Sequence, residues 1–234
     1  MSNESGITLV MLSYNEIDGT KFLIDKIPFD QVDEFFVVDG GSTDGTREFL
    51  TEKNIPIVDQ ESKGRGEAFR IAFQTAKYDR VVFFSLDGNE DTNDIPKFKQ
   101  YFDEGYGMVI ASRMCEGATN EEDKDLIKIR KWANNIFNLF VNIIWNRSGT
   151  YVTDSINGFR GFTKEAWKEI RPDGAGYTIE YQSTIRCFKK RVKIKEFPTM
   201  EHQRVGGESY AHSIPTGLRF LKLLWSEILR GNRF

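Results

Sequence analysis

Only two histidines and two cysteines occur among the 234 residues of this chain. His202 and His212 stand in no spacing with a serine or cysteine that would build a nucleophile triad, which argues against that chemistry. Cys115 and Cys187 are far apart and in no metal-like spacing, so no disulfide framework is expected and a reducing compartment is the default. Neither sign of charge dominates. Lys and Arg number 32 and Asp and Glu 35, a net charge of −3, which carries no electrostatic footprint for nucleic acid. No apolar run approaches the roughly 18–20 residues that span a bilayer. The longest, 136–145 and 218–229, are interrupted by polar residues. The opening residues MSNESG lead straight into strand-like sequence, without the pattern of a secretory signal.

What is present is a regular alternation. Short apolar runs at 7–12, 34–39, 55–58, 80–86 and 107–112 read as strands, and 16–27, 43–53 and 66–77 between them read as helices. The run 80–86 is apolar on both faces and is therefore expected at the centre of a sheet. This is the signature of an α/β protein with a mostly parallel sheet flanked by helices. The second half changes character. It reads as a long helix over 124–146, a strand over 156–162, a helix over 163–170 capped by Thr163, a helix over 179–190, an alternating strand over 192–198 and a basic amphipathic helix over 214–230. No repeat or linker divides the chain. A single domain is expected over 1–234, with a nucleotide half at 1–112 and a mixed acceptor half at 113–234.

In an open parallel sheet, ligands bind beyond the C-terminal ends of the strands. Three polar clusters fall there: SYNE (13–16), DGGSTDGT (39–46) and DGNED (87–91); a fourth, SKGRGEA (62–68), opens a helix. Any one reads as an ordinary turn. Four in this order point to a ligand site, and the oxygens of DGNED have the hardness that a divalent cation requires.

The series LSYNE, VVDGGSTDGT, KGRGEA and SLDGNED resembles the family 2 glycosyltransferases with the GT-A fold, a Rossmann-like sheet. The resemblance implies a donor site for a nucleotide diphosphate sugar at Ser13, Tyr14, Glu16, Asp39, Gly41, Ser42, Lys63, Gly64, Asp87, Gly88 and Asn89. Asp39 would face the base or ribose, while Gly41 and Ser42 would serve the tight turn. It also implies Mg²⁺ or Mn²⁺ held by Asp87, Asn89 and Asp91 against the diphosphate. Gly40 stands where the family often has a second Asp, and Asn89 where it has the second Asp of Asp-x-Asp.

Further on, DSINGFRGF (154–162) and EFPTMEHQRVGGES (196–209) are similar to segments of the polyprenyl-phosphate branch, dolichyl-phosphate mannose synthases among them. This implies an acceptor-phosphate site at Arg113, Arg130, Arg204 and Ser209, with Asp87, Arg113 and Arg204 closest to the chemistry. Tyr210 replaces a Lys common in relatives. An ionised lipid phosphate needs no strong general base, whereas an acceptor hydroxyl would; in that case Glu90 or Asp91 is the candidate.

The leading expectation is therefore an inverting transfer of a hexose from GDP-mannose or a UDP-sugar to a polyprenyl or dolichyl phosphate. It places the protein on the cytoplasmic face of a membrane, peripherally bound, with a membrane-anchoring partner subunit possible. A glycan or lipid hydroxyl acceptor and a non-catalytic nucleotide-sugar binder are the alternatives. Leu218, Leu221, Leu224, Trp225 and Ile228 against Arg219, Lys222 and Arg230 fit an interfacial helix or a helix packed on the core.

Overall fold

The computed structural model describes residues 5–124, 129–147, 149–206 and 213–234. Seven strands form one sheet in the order β3-β2-β1-β4-β6-β5-β7. They are β1 (Ile7–Ser13), β2 (Glu34–Asp39), β3 (Ile57–Asp59), β4 (Arg80–Ser85), β5 (Met108–Ser112), β6 (Arg160–Thr163) and β7 (Ile194–Pro198). The Val- and Phe-rich β4 is central, as its two apolar faces require. All pairings are parallel except those of β6, which runs antiparallel between β4 and β5. This is the GT-A architecture.

The helices lie on both faces: α1 (Ile17–Leu23), α2 (Thr46–Glu52), α3 (Arg65–Thr75), α4 (Lys97–Asp103), α5 (Ile129–Trp145), α6 (Lys164–Ile170), α7 (Thr178–Lys190) and α8 (Ser213–Arg230). Successive strand residues point to opposite faces, so the sheet separates two cores. Val10, Leu12 and Phe83 pack with α3, α5, α7 and α8. Leu9, Met11 and Phe84 pack with Leu23, Phe98 and Phe102 of α1 and α4. Phe69 of α3 stacks on Phe83 with ring centroids 3.7 Å apart. Thr163 caps α6 as expected, accepting from Ala166 N at 3.1 Å.

Register brings the polar clusters together. Ser13 pairs with Asp39, Leu12 with Ser85, and Ser112 with Pro198. The residues after β1, β2, β4, β5 and β7 therefore leave one edge of the sheet side by side. Because β6 is antiparallel, the residues before it, Asn157–Phe159, reach the same edge. Sequence reading left the direction of β6 open.

Two helices are packed in an unusual sense. Asn138 and Asn142 of α5 are buried, at 1% and 8% exposure, while Trp132, Ile136, Leu139, Phe140 and Ile143 of the same helix are exposed. The buried amides make a ladder to segment 150–155. Asn138 donates to Thr153 O and accepts from Ser155 N, Asn142 donates to Val152 O and accepts from Val152 N, and Asn146 donates to Thr150 O. Helix α8 buries Phe220 and Leu224 together with Glu227, whose carboxylate accepts from Gln182, Arg186 and Lys189 of α7. Its Leu218, Leu221, Trp225 and Leu229 are exposed. Among the described residues no helix is long and apolar enough to cross a membrane.

Helix α1 sits directly on the end of β4. A Cβ on Gly19 would lie 2.2 Å from Leu86 O and 2.9 Å from the Asp87 Cα, both backbone atoms. Gly19→Ala is expected to cost about 1–3 kcal/mol by overpacking, read as a lower urea midpoint. An unchanged midpoint would show that α1 can shift freely.

Candidate active site

The aligned strand ends open into a cavity of 870 Å³. Ser13, Tyr14, Glu16, Lys63, Gly64, Asp87 and Asn89 line it, as do Arg113, Arg130 and Arg204. The sheet edge thus gathers most of the residues that the resemblance selected. Ser209 lies outside the described residues, as does Tyr210.

Four of the donor residues and one metal residue hold the local turns together. Asp39 does not line the cavity. Its carboxylate accepts from Gly41 N at 3.0 Å, Ser42 N at 2.9 Å, Ser42 Oγ at 2.6 Å and Arg47 at 2.9 Å, and is the keystone of the turn after β2. Gly41 and Ser42 belong to that turn, and Ser42 Oγ also accepts from Asn15 N. Gly88, at φ +90°, serves the turn after β4; a Cβ there would strike Val205. Asp91 caps the turn of residues 92–94, accepting from Asn93 N and Nδ2 at 2.9 and 2.8 Å, and does not line the cavity. The backbone N–H groups that a strand end and helix start leave unpaired need acceptors, and these side chains supply them.

The segment 87–90 is where charge concentrates. Arg204 bridges Glu16 and Asp87, the latter at 3.1 Å. Its own segment is tied down beside the turn by His202 N donating to Asn89 O and Val205 N to Asp87 O. Glu90 accepts from Ser85 N at 2.7 Å. Burial, and then the Asp87 carboxylate, push Glu90 up to about 8. Burial also raises Glu16 to about 7, against the pull of Arg204, and raises Asp87. Carboxyls crowded in a desolvated site hold their protons when counter-charge is short.

Several oxygens there are unpartnered. Ser13 Oγ, Glu16 Oε2, Asn89 Oδ1 and Glu180 Oε2 are buried with no hydrogen-bond partner among the described residues. A buried orphan oxygen is costly unless a ligand completes it. Asp87 and Asn89 present the carboxylate and amide oxygens that a hard cation takes, and Asn89 Oδ1 is one of the unpartnered oxygens, so the residues fit Mg²⁺ or Mn²⁺.

Glu180 and Arg65 were not legible as site residues. Arg65, at the start of α3, donates to Glu180 from Nε and approaches Ser85 Oγ at 3.4 Å; both residues line the cavity, with Tyr177 between the same elements. Helix α7 buries Glu180, Gln182, Thr184 and Arg186 together with its apolar residues, so polarity does not mark which of its side chains face the cavity.

Arg113 reaches the cavity wall, but three of its donor groups are spent on carboxylates. Nε and Nη2 donate to Asp154 at 2.8 and 3.0 Å, and Nη1 to Glu201 at 2.9 Å. Arg130 pairs with Glu121 and Glu122 at the near end of α5 and remains half-exposed.

The model of the family described as "Glycosyl transferase family 2" matches residues 8–171 of this chain. The chain belongs to that family. This glycosyltransferase is 27% identical over 215 residues to the glycosyltransferase AglJ of Haloferax volcanii, an alignment covering 88% of its own chain but 66% of AglJ, so it spans slightly under two thirds of that relative's length. It is 26% identical to a dolichyl-phosphate hexose transferase of the same organism, over 96% of each chain. Among solved structures, glucosyl-3-phosphoglycerate synthase from Mycobacterium tuberculosis, in complex with Mn²⁺, UDP and phosphoglyceric acid, superposes on the glycosyltransferase with a TM-score of 0.74. The match has 19% identity and covers 94% of this chain and 78% of the other. At that identity the likeness is one of fold.

Proposed function

We propose that this glycosyltransferase moves a hexose from a nucleotide diphosphate sugar to a polyprenyl or dolichyl phosphate, working peripherally at a membrane surface. One observation carries the reading. The cavity lined by Asp87 and Asn89 is also lined by residues of α5 and α8, two helices that each expose several large apolar side chains. Arg219 stands in the same lining, as do Arg130 and Lys131, which pair there with Glu121, Glu122 and Asp123. An acceptor suited to that mouth has an anionic head and a hydrocarbon tail. The name of the Haloferax volcanii dolichyl-phosphate hexose transferase supports a lipid-phosphate acceptor.

In this scheme an acceptor phosphate oxygen attacks the anomeric carbon, the bond from that carbon to the diphosphate oxygen breaks, and the nucleoside diphosphate leaves with inversion. Asp87 and Asn89 would hold a divalent cation, whose Lewis acidity stabilises charge on the departing diphosphate. Arg204, within reach of Asp87 and Glu16, would neutralise phosphate oxygens at the junction of donor and acceptor. Tyr14, Lys63 and Gly64 would border the nucleotide. Most of the acceleration would come from alignment and charge complementarity.

The decisive assay offers the protein radiolabelled UDP- and GDP-sugars with a short-chain polyprenyl phosphate and Mn²⁺. Lipid-extractable label is the expected result. Label appearing only on hydroxyl acceptors would defeat the reading.

A further inference from the structure

Arg204 holds the oxygen that a cation on Asp87 would take. Its Nη1 donates to Asp87 Oδ2 at 3.1 Å, and its Nη2 donates to Glu16. The neighbouring oxygen is left over: Asn89 Oδ1 is buried with no hydrogen-bond partner among the described residues. One half of the cradle is thus neutralised by a guanidinium, and the other half is unsatisfied.

The backbone of segment 199–206 puts the guanidinium there. Thr199 N donates to Ser112 O, Glu201 N to Thr119 O, His202 N to Asn89 O and Val205 N to Asp87 O. The Glu201 carboxylate accepts from Arg113 and Asn120. The turn after β4 and helix α1 are cut to receive the segment. A Cβ on Gly88 would lie 2.6 Å from Val205 Cγ2, and one on Gly206 would lie 2.5 Å from Asp18 Oδ2. With the backbone fixed, a change of partner falls to the Arg204 side chain. That side chain lines the cavity, and its Nε is tied only to Gly206 O of its own segment, at 3.2 Å.

A guanidinium and a divalent cation on one carboxylate oxygen repel each other strongly. A diphosphate, by contrast, offers an arginine fork the paired oxygens that it takes from carboxylates. We infer that Arg204 is a stand-in cation: it keeps a divalent ion off Asp87 until a nucleoside diphosphate group gives it other oxygens, so that metal loading is conditional on the nucleotide. This rests on the assignment of Asp87 and Asn89 to a divalent cation under the proposed function, and adds what controls the loading. Linkage makes the effect mutual, each ligand raising the affinity of the other.

Binding of Mn²⁺, followed by the electron paramagnetic resonance signal of the free ion, tests it without turnover. Wild type, Arg204→Gln and Arg204→Met are titrated at about pH 8, above the ordinary carboxylate range, alone and with saturating UDP or GDP; thermal melting verifies folding. Without nucleotide, both variants are expected to bind Mn²⁺ about ten-fold or more tighter than wild type, the scale of a lost charged hydrogen bond. With nucleotide the gain is expected to shrink below about three-fold, because Arg204 has then left Asp87 in the wild type. Arg219→Gln removes a charge from the same cavity lining without touching Asp87. It is expected to change Mn²⁺ affinity by less than about three-fold, through screened charge alone. The inference is overturned if the Arg204 variants gain nothing, if nucleotide leaves their gain undiminished, or if Arg219→Gln gains as much. Absence of Mn²⁺ binding in every protein would overturn it together with the cation assignment. Hexose transfer is assayed in parallel. Transfer by a protein whose Mn²⁺ affinity ignores Arg204 would remove the stand-in and leave the transferase reading; the expected binding pattern without any transfer would do the reverse.

Discussion

Asp87→Ala is expected to reduce hexose transfer by on the order of 10²–10³-fold or more, the scale on which a group stabilising transition-state charge matters. The loss should be specific to the chemistry. Among the described residues the Asp87 carboxylate is bonded to Arg204 and, at 3.4 Å, to Asn89 N, and Arg204 keeps its second partner Glu16. The melting temperature should therefore barely move. Asn89→Asp is expected to retain or raise activity at saturating Mn²⁺, since it adds a second carboxylate beside Asp87. Titration of Mn²⁺ into both variants checks the cause. Full activity of Asp87→Ala with metal present would remove the cation from these residues.

A second large effect is expected away from the chemistry. Arg113→Met should destabilise the protein by about 3–5 kcal/mol, the cost of stranding a buried partner charge. Asp154 is fully buried and Glu201 nearly so. Burial alone would raise the Asp154 carboxyl, but the Arg113 guanidinium outweighs it and holds Asp154 below the ordinary carboxylate range. The sign of the pH dependence follows. In the wild type this pairing stabilises above the unfolded carboxylate pKa, and the contribution fades as pH falls through the depressed folded value. Without Arg113, burial raises Asp154 instead, so the variant is penalised most near neutrality and the gap to wild type narrows on acidification. Urea midpoints between pH 7 and about pH 4, near the carboxylate range, measure this. A variant of wild-type stability that loses only acceptor use would return Arg113 to the phosphate site.

The strand-end geometry was legible because two simple signals agree: apolar runs mark the strands, and polar clusters mark where they stop. Helix α4 was not. Its seven residues carry only Phe98 and Phe102 on the buried side, too short a period to stand out. Within the clusters, the sequence cannot separate an oxygen that meets a ligand from one that satisfies the turn. Asp39 and Asp91 are acids in the expected place, yet backbone N–H groups claim them. Glu180 was hidden for the opposite reason, a polar group inside a helix whose buried face is itself polar. The burial of Asn138 and Asn142 beside Phe137 and Val141 of α5 was hidden as well, since amides on a helix ordinarily mark the side that faces outward.

Those buried amides fix more than exposure. An oily contact tolerates a small slide or roll of one rod against another, whereas an amide that both gives and receives a hydrogen bond at one carbonyl and one N–H does not. With Asn138, Asn142 and Asn146 engaged at successive steps of segment 150–155, α5 is keyed like a shaft in its slot. The angle at which Trp132 and Ile136 look outward is set by directional bonding on the far side of the rod.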